Sequence, residues 1–561
     1  MKRVGVDDAV ALIPNGATLA CAGFVGAGHA EAVTAAIERR FLAHGTPSQL
    51  TLVYSAGQGD RGDRGVNHFG HEGLTRRIVG GHWRSAPKLS RLALENRCEA
   101  WNLPQGVITH LYRAIAGGKP GVITKIGLHT FIDPRHGGGR LNARTTADLV
   151  DLLEIDGEEW LRYRPMRIDV ALIRATTSDA RGNLTTEHEP FHHEMLAIAQ
   201  AAHNSGGIVI AQVKRVVDAH DDPQRVRVPG ILVDYVVEVG EDADHHSMTF
   251  GEYLNLDYMR AAPREGAEGG AAEAGRGGDA GGIAATAATA GVAATSSPGA
   301  AAKPAPAALD ARRIVQRRAL LELAAHRPRV VNLGVGMPAG VGAVAREEGV
   351  GGFVLTVESG PIGGTPADGL SFGASEFPEA IVDEPAQFDF YDGGGIDMAF
   401  LGLAEFDGHG NVNVSLFGEG EHRLLAGVGG FVNITQSTRR LVFMGTLTAG
   451  GLQVEAGDGR LRIVREGRSR KLVPRVGHLS FSGEYASRQG TDVLYVTERA
   501  VFRLVDGQLV LVEIAPGIDL QHDVLAHCGA PVAVSPALAT MDARIYRAGP
   551  MCCFDVMPID T

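Results

Sequence analysis

The chain repeats itself at a constant spacing of 228 residues, and this repeat constrains the fold more than any other feature of the sequence. The segment 168–171 (IDVA) recurs at 396–399 (IDMA), and the motif D-x-x-G-N at 179–183 recurs at 407–411. Chance could supply one such match, but a register that is unbroken over both matches indicates duplication. The sequence therefore predicts two homologous domains.

Each copy of the repeat reads as a buried strand followed by a tight turn. We interpret Asn183 and Asn411 as turn formers, since Asn and Gly tolerate left-handed backbone, with a direct catalytic role as the alternative. Around the repeat, apolar strands alternate with helical stretches, which is typical of βαβ units and a largely parallel sheet. The chain thus predicts two open α/β domains, with strands at 17–23, 50–54, 207–213, 231–239, 330–333, 353–357 and 441–444 and helices at 31–41 and 319–325.

The segment 264–308 separates the two copies and consists almost entirely of Ala, Gly, Ser, Thr and Pro with a few charges. Such a composition cannot bury enough apolar surface to offset its chain entropy, which predicts a long disordered linker. Marginal helix in its Ala-rich pieces is the alternative. The predicted domains are therefore 1–263 and 309–561.

Charge and cysteine content narrow the function classes. The net charge of −12 argues against nucleic acid, whose binders need a basic face, although a local pocket can still hold an anionic ligand. Five scattered cysteines without a C-x-x-C pair are typical of reduced thiols. Acids and a proline interrupt the N-terminal segment, and the chain has no run of about 18 apolar residues to span a membrane. We expect a cytoplasmic protein without a membrane partner.

Glycine-rich turns follow two of the predicted strands, at 23–28 (GFVGAG) and 334–338 (GVGMP). In an open α/β sheet such turns lie at the edge where ligands bind. Neither turn matches G-x-G-x-x-G, and the chain has no G-x-x-x-x-G-K-[ST], so a nicotinamide or ATP site is not supported. Contact with a ligand and a purely conformational role both stay open for these glycines.

The segment 352–364 (GFVLTVESGPIGG) places Glu358 directly after an apolar strand and before a turn of small residues. A carboxylate at a strand end projects into the usual cleft, where partial desolvation and accessible backbone amides favour a nucleophile or base. A helix-capping or salt-bridged glutamate is the alternative interpretation.

The same segment resembles the active-site signature of the family I CoA-transferases, in which the glutamate of an E-[SN]-G strand end becomes acylated. The resemblance covers nearly the whole chain outside the linker, and it is strongest to the single-chain short-chain acyl-CoA:acetate/3-ketoacid type. The long linker is the one departure from that type. The further matching segments are 103–106 (LPQG), 127–135 (GLHTFIDPR), 331–338 (VNLGVGMP), 388–395 (FDFYDGGG), 401–404 (LGLA), 410–415 (GNVNVS) and 427–434 (GVGGFVNI).

The resemblance implies two domains of the fold that CoA-transferases share with sugar-phosphate isomerases, with the active site between them. It implies a reversible ping-pong exchange in which Glu358 carries CoA as a thioester, with a short-chain acyl-CoA and a free carboxylate such as acetate as substrates. No permanently bound cofactor, no metal and no nucleic acid are expected, and the family suggests a homo-oligomer, a dimer or tetramer. The implied site comprises Glu358 as nucleophile, Val25, Gly26, Gln105, Gly402 and Leu403 as substrate-contacting or oxyanion residues, and Gly334, Gly336, Gly360 and Asn411 in structural loops.

Other functions need weighing against this one. The segment 188–192 (HEPFH) formally matches the H-E-x-x-H pattern of zinc peptidases, but that motif works on a continuous helix, which Pro190 disfavours, so we interpret it as a solvated loop before a helix. A sugar-phosphate isomerase would need phosphate-binding turns, and a non-catalytic sensor would have lost the glutamate or gained a basic segment. A hydrolase that uses Glu358 is chemically closest. For Gln105, a polar turn residue is the alternative to substrate contact.

Overall fold

The fold is described from a computed structural model, which describes residues 1–262 and 309–552. The predicted linker 264–308 lies outside the described residues, and so does Cys553. Among the described residues, no helix combines the length and the apolar character needed to cross a membrane.

The first half builds one sheet and packs helices on it. Its helices are α1 (Val6–Ala11), α2 (Glu31–His44), α3 (Pro87–Leu94), α4 (Gln105–Ala116) and α5 (Met195–Asn204). Its strands are β1 (Lys2–Arg3), β2 (Thr18–Cys21), β3 (Leu50–Tyr54), β4 (Thr75–Gly80), β5 (Glu99–Asn102), β6 (Val122–Thr124), β7 (Val150–Ile155), β8 (Glu158–Tyr163), β9 (Val170–Asp179), β10 (Leu184–Thr185), β11 (Ile208–Val217) and β12 (Tyr235–Glu238).

The second half repeats this plan and adds short hairpins. Its helices are α6 (Ala311–His326), α7 (Gly340–Glu347), α8 (Glu384–Asp392), α9 (Phe431–Ser437) and α10 (Gly483–Arg488). Its strands are β13 (Val330–Leu333), β14 (Val354–Thr356), β15 (Pro361–Ile362), β16 (Thr365–Pro366), β17 (Ser375–Glu376), β18 (Ala380–Ile381), β19 (Met398–Gly402), β20 (Glu405–Phe406), β21 (Val412–Asn413), β22 (Leu416–Phe417), β23 (Leu424–Leu425), β24 (Arg440–Met444), β25 (Thr448–Ala449), β26 (Gln453–Gly457), β27 (Arg460–Arg465), β28 (Ser469–Arg470), β29 (Asp492–Val496), β30 (Ala500–Val505), β31 (Gln508–Ile514) and β32 (Ala533–Thr540).

The two main sheets share a parallel centre with one strand order. The first sheet runs β1-β12-β11-β9-β2-β3-β4-β5, and all of these pairs are parallel. The second runs β18-β15-β14-β13-β19-β24-β29-β30-β31-β32, and its central pairs from β14 to β29 are parallel. The order β12-β11-β9-β2-β3 therefore matches β29-β24-β19-β13-β14. The prediction of two homologous α/β domains with largely parallel sheets is confirmed.

The repeated aspartates fix the alignment of the two sheets. Asp169 accepts a hydrogen bond from the backbone N–H of Thr18 at 2.9 Å, and its own N–H donates to the Thr18 carbonyl. Asp397 binds Val330 through the same two contacts, at 3.0 Å for the side chain. Thr18 and Val330 are therefore corresponding positions, which the 228-residue repeat by itself does not identify.

The two D-x-x-G-N turns also have the same internal bonds. Asn183 donates from Nδ2 to Asp179 at 2.8 Å and accepts from the N–H of Gly230 at 2.8 Å. Asn411 donates to Asp407 at 3.1 Å and accepts from the N–H of Gly483 at 3.0 Å. The geometry thus assigns both asparagines to the turns that we predicted.

Two predicted elements begin several residues away from the predicted start, and the other predicted elements shift only at one or both ends. The strand predicted at 231–239 begins only at Tyr235, because Gly230 is bound to the Asn183 turn and the chain first forms a 3₁₀ turn at Gly230–Leu232. The helix predicted at 319–325 extends back to Ala311, because Asp310 caps it by accepting from the N–H of Arg313.

The two halves pack through helices α4 and α8, and a single cluster of buried apolar side chains runs through both sheets. Gly106 of α4 lies so close to α8 and α9 that a methyl group there would approach Phe388 Cδ1 to 2.4 Å and Asn433 Nδ2 to 2.5 Å. At the rim of this contact, Arg113 forms an ion pair with Asp389. The first turns of α4 and α8 therefore lie side by side between the sheets.

Candidate active site

Glu358 lies two residues beyond the last residue of β14, at the carboxyl edge of the second sheet. Strands β14, β13 and β19 are parallel neighbours, so the residues that follow them meet at one edge. Gly334 and Gly402 occupy the ends of the other two strands, and Gly334 donates its N–H to Phe400 at 2.8 Å. The strand-end position predicted for Glu358 is the one that the structure has.

A tight turn holds Glu358 in place. The N–H of Gly360 donates to Val357, and Val357 donates to Pro361, each at 3.0 Å. Gly360 has a φ of 125°, and a methyl group there would lie 2.0 Å from the carbonyl oxygen of Val382. Only glycine fits this position, because both its conformation and the space demand it.

The Glu358 carboxyl group is half-buried and forms no ion pair or hydrogen bond with any described residue. Burial raises its pKa to about 7, which fits a carboxylate that is desolvated without a compensating cation. A methyl group at Gly430, on the facing loop, would lie 3.0 Å from its Oε1 atom. Because residue 430 is glycine, the Glu358 carboxylate stays accessible, and the backbone of residue 430 can lie beside it.

A buried polar group supports the strand below Glu358. The hydroxyl of Tyr391 donates to Oγ1 of Thr356 at 2.9 Å, and Asn332 donates to the Thr356 carbonyl at 3.2 Å. These bonds tie α8 and β13 to the last residue of β14. The position of Glu358 is consequently fixed from both sides.

Gln105 approaches the same point from the first half. It is the first residue of α4, its N–H donates to the carbonyl of Gly429 at 2.9 Å, and its Nε2 donates to Glu384 Oε1 at 3.0 Å. A methyl group at Gly429 would lie 3.5 Å from Gln105 Oε1. Gln105 and Glu358 thus lie against consecutive residues of one loop, although they come from different halves.

The Val25-Gly26 turn also reaches across to the second half. Val25 has a left-handed φ of 49°, and a methyl group at Gly26 would lie 2.3 Å from the Leu370 carbonyl oxygen. The N–H of Gly26 donates to no protein group among the described residues, which leaves a free amide donor. Ser359, next to Glu358, donates to the carbonyl of Gly373, and Gly373 packs against Phe24. A short series of contacts therefore links this turn to the glutamate.

The structure separates the roles of Gly402 and Leu403. A methyl group at Gly402 would meet no atom within 4 Å, so this residue faces open space. The N–H of Leu403 donates to Met444 at 2.8 Å, within the sheet. The Leu403 amide is therefore already used, and substrate contact by another part of Leu403 stays a prediction.

The remaining loop residues have structural contacts. Gly336 has a φ of 88°, and its carbonyl oxygen accepts from Arg312 at 2.6 Å. Asn411 holds the turn after β20 by donating to Asp407 and accepting from the N–H of Gly483. These contacts support conformational roles for the two residues.

Two clefts open near these loops. A cleft of about 580 Å³ lies beside the Gly336 loop and is lined by Arg312, Met337 and residues 452–455, but not by Glu358. A second cleft of about 640 Å³ lies between α3 and the turn at Gly420–His422. Its lining includes Arg84, Arg91 and Arg423 together with the carboxyl group of Glu95.

The H-E-x-x-H segment is not a helix and is not solvated. Glu189 is fully buried, where it forms ion pairs with Arg174 at 2.5 Å and His246 at 3.2 Å. The expectation of a solvated loop is therefore wrong, since this segment is covered by β9 and the residues before the linker. No group of three or more His, Cys, Asp or Glu with metal-site geometry occurs within 1–262 and 309–552.

Sequence reasoning missed two glutamates at this site. Glu194 and Glu384 lie in the same buried cluster as Gln105, and neither is part of a motif with a recognisable chemical pattern. Glu194 stands next to the H-E-x-x-H segment, which was the only local signal. Their proximity depends on contacts over long sequence separations.

This fold is that of a coenzyme A transferase. The family model described as coenzyme A transferase matches residues 4–239. Acetate CoA-transferase YdiF of Escherichia coli O157:H7 is 41% identical over 97% of this chain and 94% of its own length, and the chain belongs to the CoA-transferase family.

Two further comparisons refine this assignment. Caffeate CoA-transferase of Acetobacterium woodii is 42% identical, with 97% of each chain covered. A crystal structure of the acyl-CoA transferase YdiF from E. coli O157:H7, as a thioester complex with CoA, has a TM-score of 0.85 and 38% identity over 98% of this chain and 97% of that chain. The protein is thus a single-chain CoA-transferase, an enzyme that moves CoA between an acyl-CoA and a carboxylate.

Proposed function

We propose that the enzyme exchanges CoA between a short-chain acyl-CoA and a free carboxylate such as acetate, through a glutamyl-CoA thioester on Glu358. One observation carries the proposal. Glu358 is a strand-end carboxylate that is desolvated, accessible and free of any ion pair among the described residues. The thioester complex with CoA in the name of the YdiF structure supports the same chemistry.

The first half-reaction balances without an external proton or cofactor. A Glu358 oxygen attacks the thioester carbonyl carbon, the C–S bond breaks, and a mixed anhydride and CoA thiolate form. The thiolate then attacks the glutamyl carbonyl carbon of the anhydride. The C–O bond breaks, the first acid leaves as a carboxylate, and CoA stays on Glu358 as a thioester.

The second half-reaction is the reverse with another acid. The incoming carboxylate attacks the glutamyl thioester and displaces CoA thiolate, which forms a new mixed anhydride. The thiolate attacks the new acyl carbonyl and regenerates the Glu358 carboxylate. Thioester energy is kept throughout, so the proposal requires no ATP and no metal.

Each tetrahedral intermediate carries an oxyanion that needs positioned donors. The free N–H of Gly26 and the side-chain amide of Gln105 are the proposed donors, and Gly402 is the proposed point of close approach on the other strand end. Removal of one such donor typically costs about 10²–10³ in kcat in acyl transfer.

Covalent trapping tests the proposal. The enzyme is incubated with acetyl-CoA and treated with borohydride or hydroxylamine, and its peptides are mapped by mass. We expect modification of Glu358 in the peptide 356–364, none in Glu358→Gln, and full modification in Glu347→Gln, a matched change on the nearby helix α7. Label on another residue, or full exchange by Glu358→Gln, would contradict the proposal.

A thiol assay separates transfer from hydrolysis. Sustained release of CoA without an acceptor acid would identify an acyl-CoA hydrolase that uses the same glutamate. The two relatives compared above are named for acetate and for caffeate at nearly equal identity, so both acids belong in the acceptor panel, with propionate and acetoacetate. We expect acetate to be the better acceptor.

Quaternary structure and location complete the proposal. We expect a homo-oligomer, a dimer or tetramer, in the cytoplasm. Light scattering after gel filtration measures the mass against 59.0 kDa for one chain. A monomer at the concentration used for the assay would show that the prediction of an oligomer is wrong, and it would leave the proposed transfer mechanism unaffected.

A further inference from the structure

The surroundings of Glu358 have a counterpart in the first half. Thr51 and Val354 occupy corresponding positions, since they pair with the corresponding residues Thr18 and Val330. Four residues further along each strand end lie Ser55 and Glu358. A serine thus stands in the first half where the nucleophile stands in the second.

The helices that follow these strand ends differ in the opposite way: the first half has a glutamate before its helix, and the second half has a glycine. Helices α5 and α9 correspond, because each leads into the corresponding strand, β11 or β24. The residue before α5 is Glu194, and the residue before α9 is Gly430. The first half therefore also has a carboxyl group near the strand end. It belongs to Glu194 at the start of helix α5 instead of to the strand end, and this residue is only 1% exposed.

The carboxyl group of Glu194 meets that of Glu384 between the two halves. The backbone N–H of Glu384 donates to the carbonyl of His193, the residue before Glu194, at 3.2 Å, so the two side chains start from adjoining backbone. Oε2 of each glutamate is buried and has no hydrogen-bond partner among the described residues. The hydroxyl of Ser55 donates to Oε1 of Glu194 at 2.6 Å, and Nε2 of Gln105 donates to Oε1 of Glu384 at 3.0 Å. Glu384 is completely buried.

Two carboxylates in contact cannot both stay ionised here. No basic side chain forms an ion pair with either group among the described residues, and the other titratable groups that face them are Cys21, Tyr112 and Glu358. Burial raises the pKa of Glu194, and burial together with the Glu194 charge raises that of Glu384 well above its usual range. One proton is therefore held between them, on Glu384.

That proton lets the Glu384 carboxyl group remain beside Glu194 while it binds the neighbouring amide. A protonated Glu384 donates to Glu194 through one oxygen, so its Oε1 is a carbonyl oxygen that can only accept. Gln105 must turn Nε2 toward it, and the second N–H of Nε2 has no acceptor among the described residues. An ionised Glu384 would instead be repelled by Glu194 and by Glu358.

We propose that Glu384 and Glu194 form a one-proton pair of positioning residues that orients the Gln105 amide, so that its second N–H is presented to the acyl oxygen of the intermediate on Glu358. This proposal rests on the proposed function. It gives the two buried glutamates a role in transfer although neither contacts the reacting atoms.

Variants of Glu384 test the proposed directions of its two hydrogen bonds, in which Glu384 donates to Glu194 and accepts from Gln105. Glu384→Gln keeps one donor for Glu194 and one acceptor for Gln105, whereas Glu384→Leu removes both. We expect Glu384→Leu to lower kcat about tenfold or more, as loss of a transition-state donor does, with a KM for acetyl-CoA within about threefold of wild type. Glu384→Gln should restore kcat to within about threefold of wild type.

A double variant tests whether the two residues act together. Gln105→Leu with Glu384→Leu should be no slower than Gln105→Leu alone, because Glu384 acts through Gln105. A Glu384→Gln variant as slow as Glu384→Leu would show that a carboxyl group itself is required and would overturn the proposal. Full activity of Glu384→Leu would overturn it as well.

A stability measurement tests the shared proton without any assay of transfer. Between pH 5 and 8 the folded enzyme holds the Glu384 proton and the unfolded chain releases it, so the wild type loses stability as pH rises. Glu384→Gln removes this loss, and its thermal midpoint should rise relative to wild type with increasing pH. The control is Glu189→Gln. Arg174 and His246 hold the pKa of this buried carboxyl group at about 2, so the thermal midpoint of Glu189→Gln should lie below that of wild type by a constant amount between pH 5 and 8.

The outcomes separate the two proposals. A midpoint difference for Glu384→Gln that does not change with pH would overturn the shared proton, even if the Leu variant fails to fold. If this difference rises with pH but no label appears on Glu358, the proposed function falls and the proton pair stands. If label appears on Glu358 but the midpoint difference is constant with pH, the proposed function stands and the shared proton falls.

Discussion

Glu358 combines two properties that oppose each other. A carboxylate that is desolvated without a cation is a stronger nucleophile, because it has lost part of its hydration, but the same desolvation stabilises its protonated form. Burial raises the pKa of Glu358 to about 7, so the nucleophile and the inactive acid are both populated at neutral pH. The charge of ionised Glu358 in turn contributes to the raised pKa of Glu384.

The pH dependence of the first half-reaction follows from this pKa. Only the ionised form attacks, so kcat/KM for acetyl-CoA should be constant above about pH 8 and fall about tenfold per unit well below pH 7. Initial rates in overlapping buffers from pH 5.5 to 9 measure this profile. A parallel record of thermal midpoints excludes unfolding as the cause, and a constant kcat/KM down to pH 5.5 would contradict the desolvated site.

At the scale of elements, the sequence predicted what depends on local pattern. The strand before Glu358 and the glycine turn after it are encoded within a dozen consecutive residues, and the structure has both. The contact of Gln105 with Glu384 spans 279 residues, and that of Ser55 with Glu194 spans 139. No periodicity within a strand or helix encodes such contacts. The buried pair of Glu194 and Glu384 could therefore be identified only from the structure, in which the two halves are packed together.

The turn between β14 and β15 depends on Gly360. Gly360→Ala adds a methyl group 2.0 Å from the Val382 carbonyl in a left-handed conformation, and we expect it to destabilise the protein by about 1–3 kcal/mol and to lower kcat. Gly352→Ala is the matched control, since its φ of 81° is also left-handed but no atom lies within 4 Å. Denaturant unfolding and initial rates compare the two. Equal effects of both variants would show that backbone conformation, rather than the contact with Val382, determines the turn.

At the scale of the whole molecule, the proposed active site exists only where the two halves meet. The first half supplies Gln105 and the Gly26 turn, and the second supplies Glu358. The apolar core is continuous between the halves, which favours a fixed relative position of these groups rather than docking of independent domains. Duplication thus gave two similar sheets, and divergence left the accessible, half-buried carboxyl group of Glu358 in only one of them.

The contact of α4 with α8 should therefore control activity from outside the site. Gly106→Ala forces Phe388 and Asn433 away from α4, which moves Glu384 relative to Gln105, and overpacking of this kind costs about 1–3 kcal/mol. We expect a lower thermal midpoint and a kcat that falls more than KM changes. Gly342→Ala is the matched control, because this glycine is also helical and its nearest contact, Leu333 Cδ1 at 3.4 Å, leaves room for a methyl group. If Gly106→Ala matches this control in midpoint and in kcat, the two halves do not depend on close packing of these helices to assemble the site.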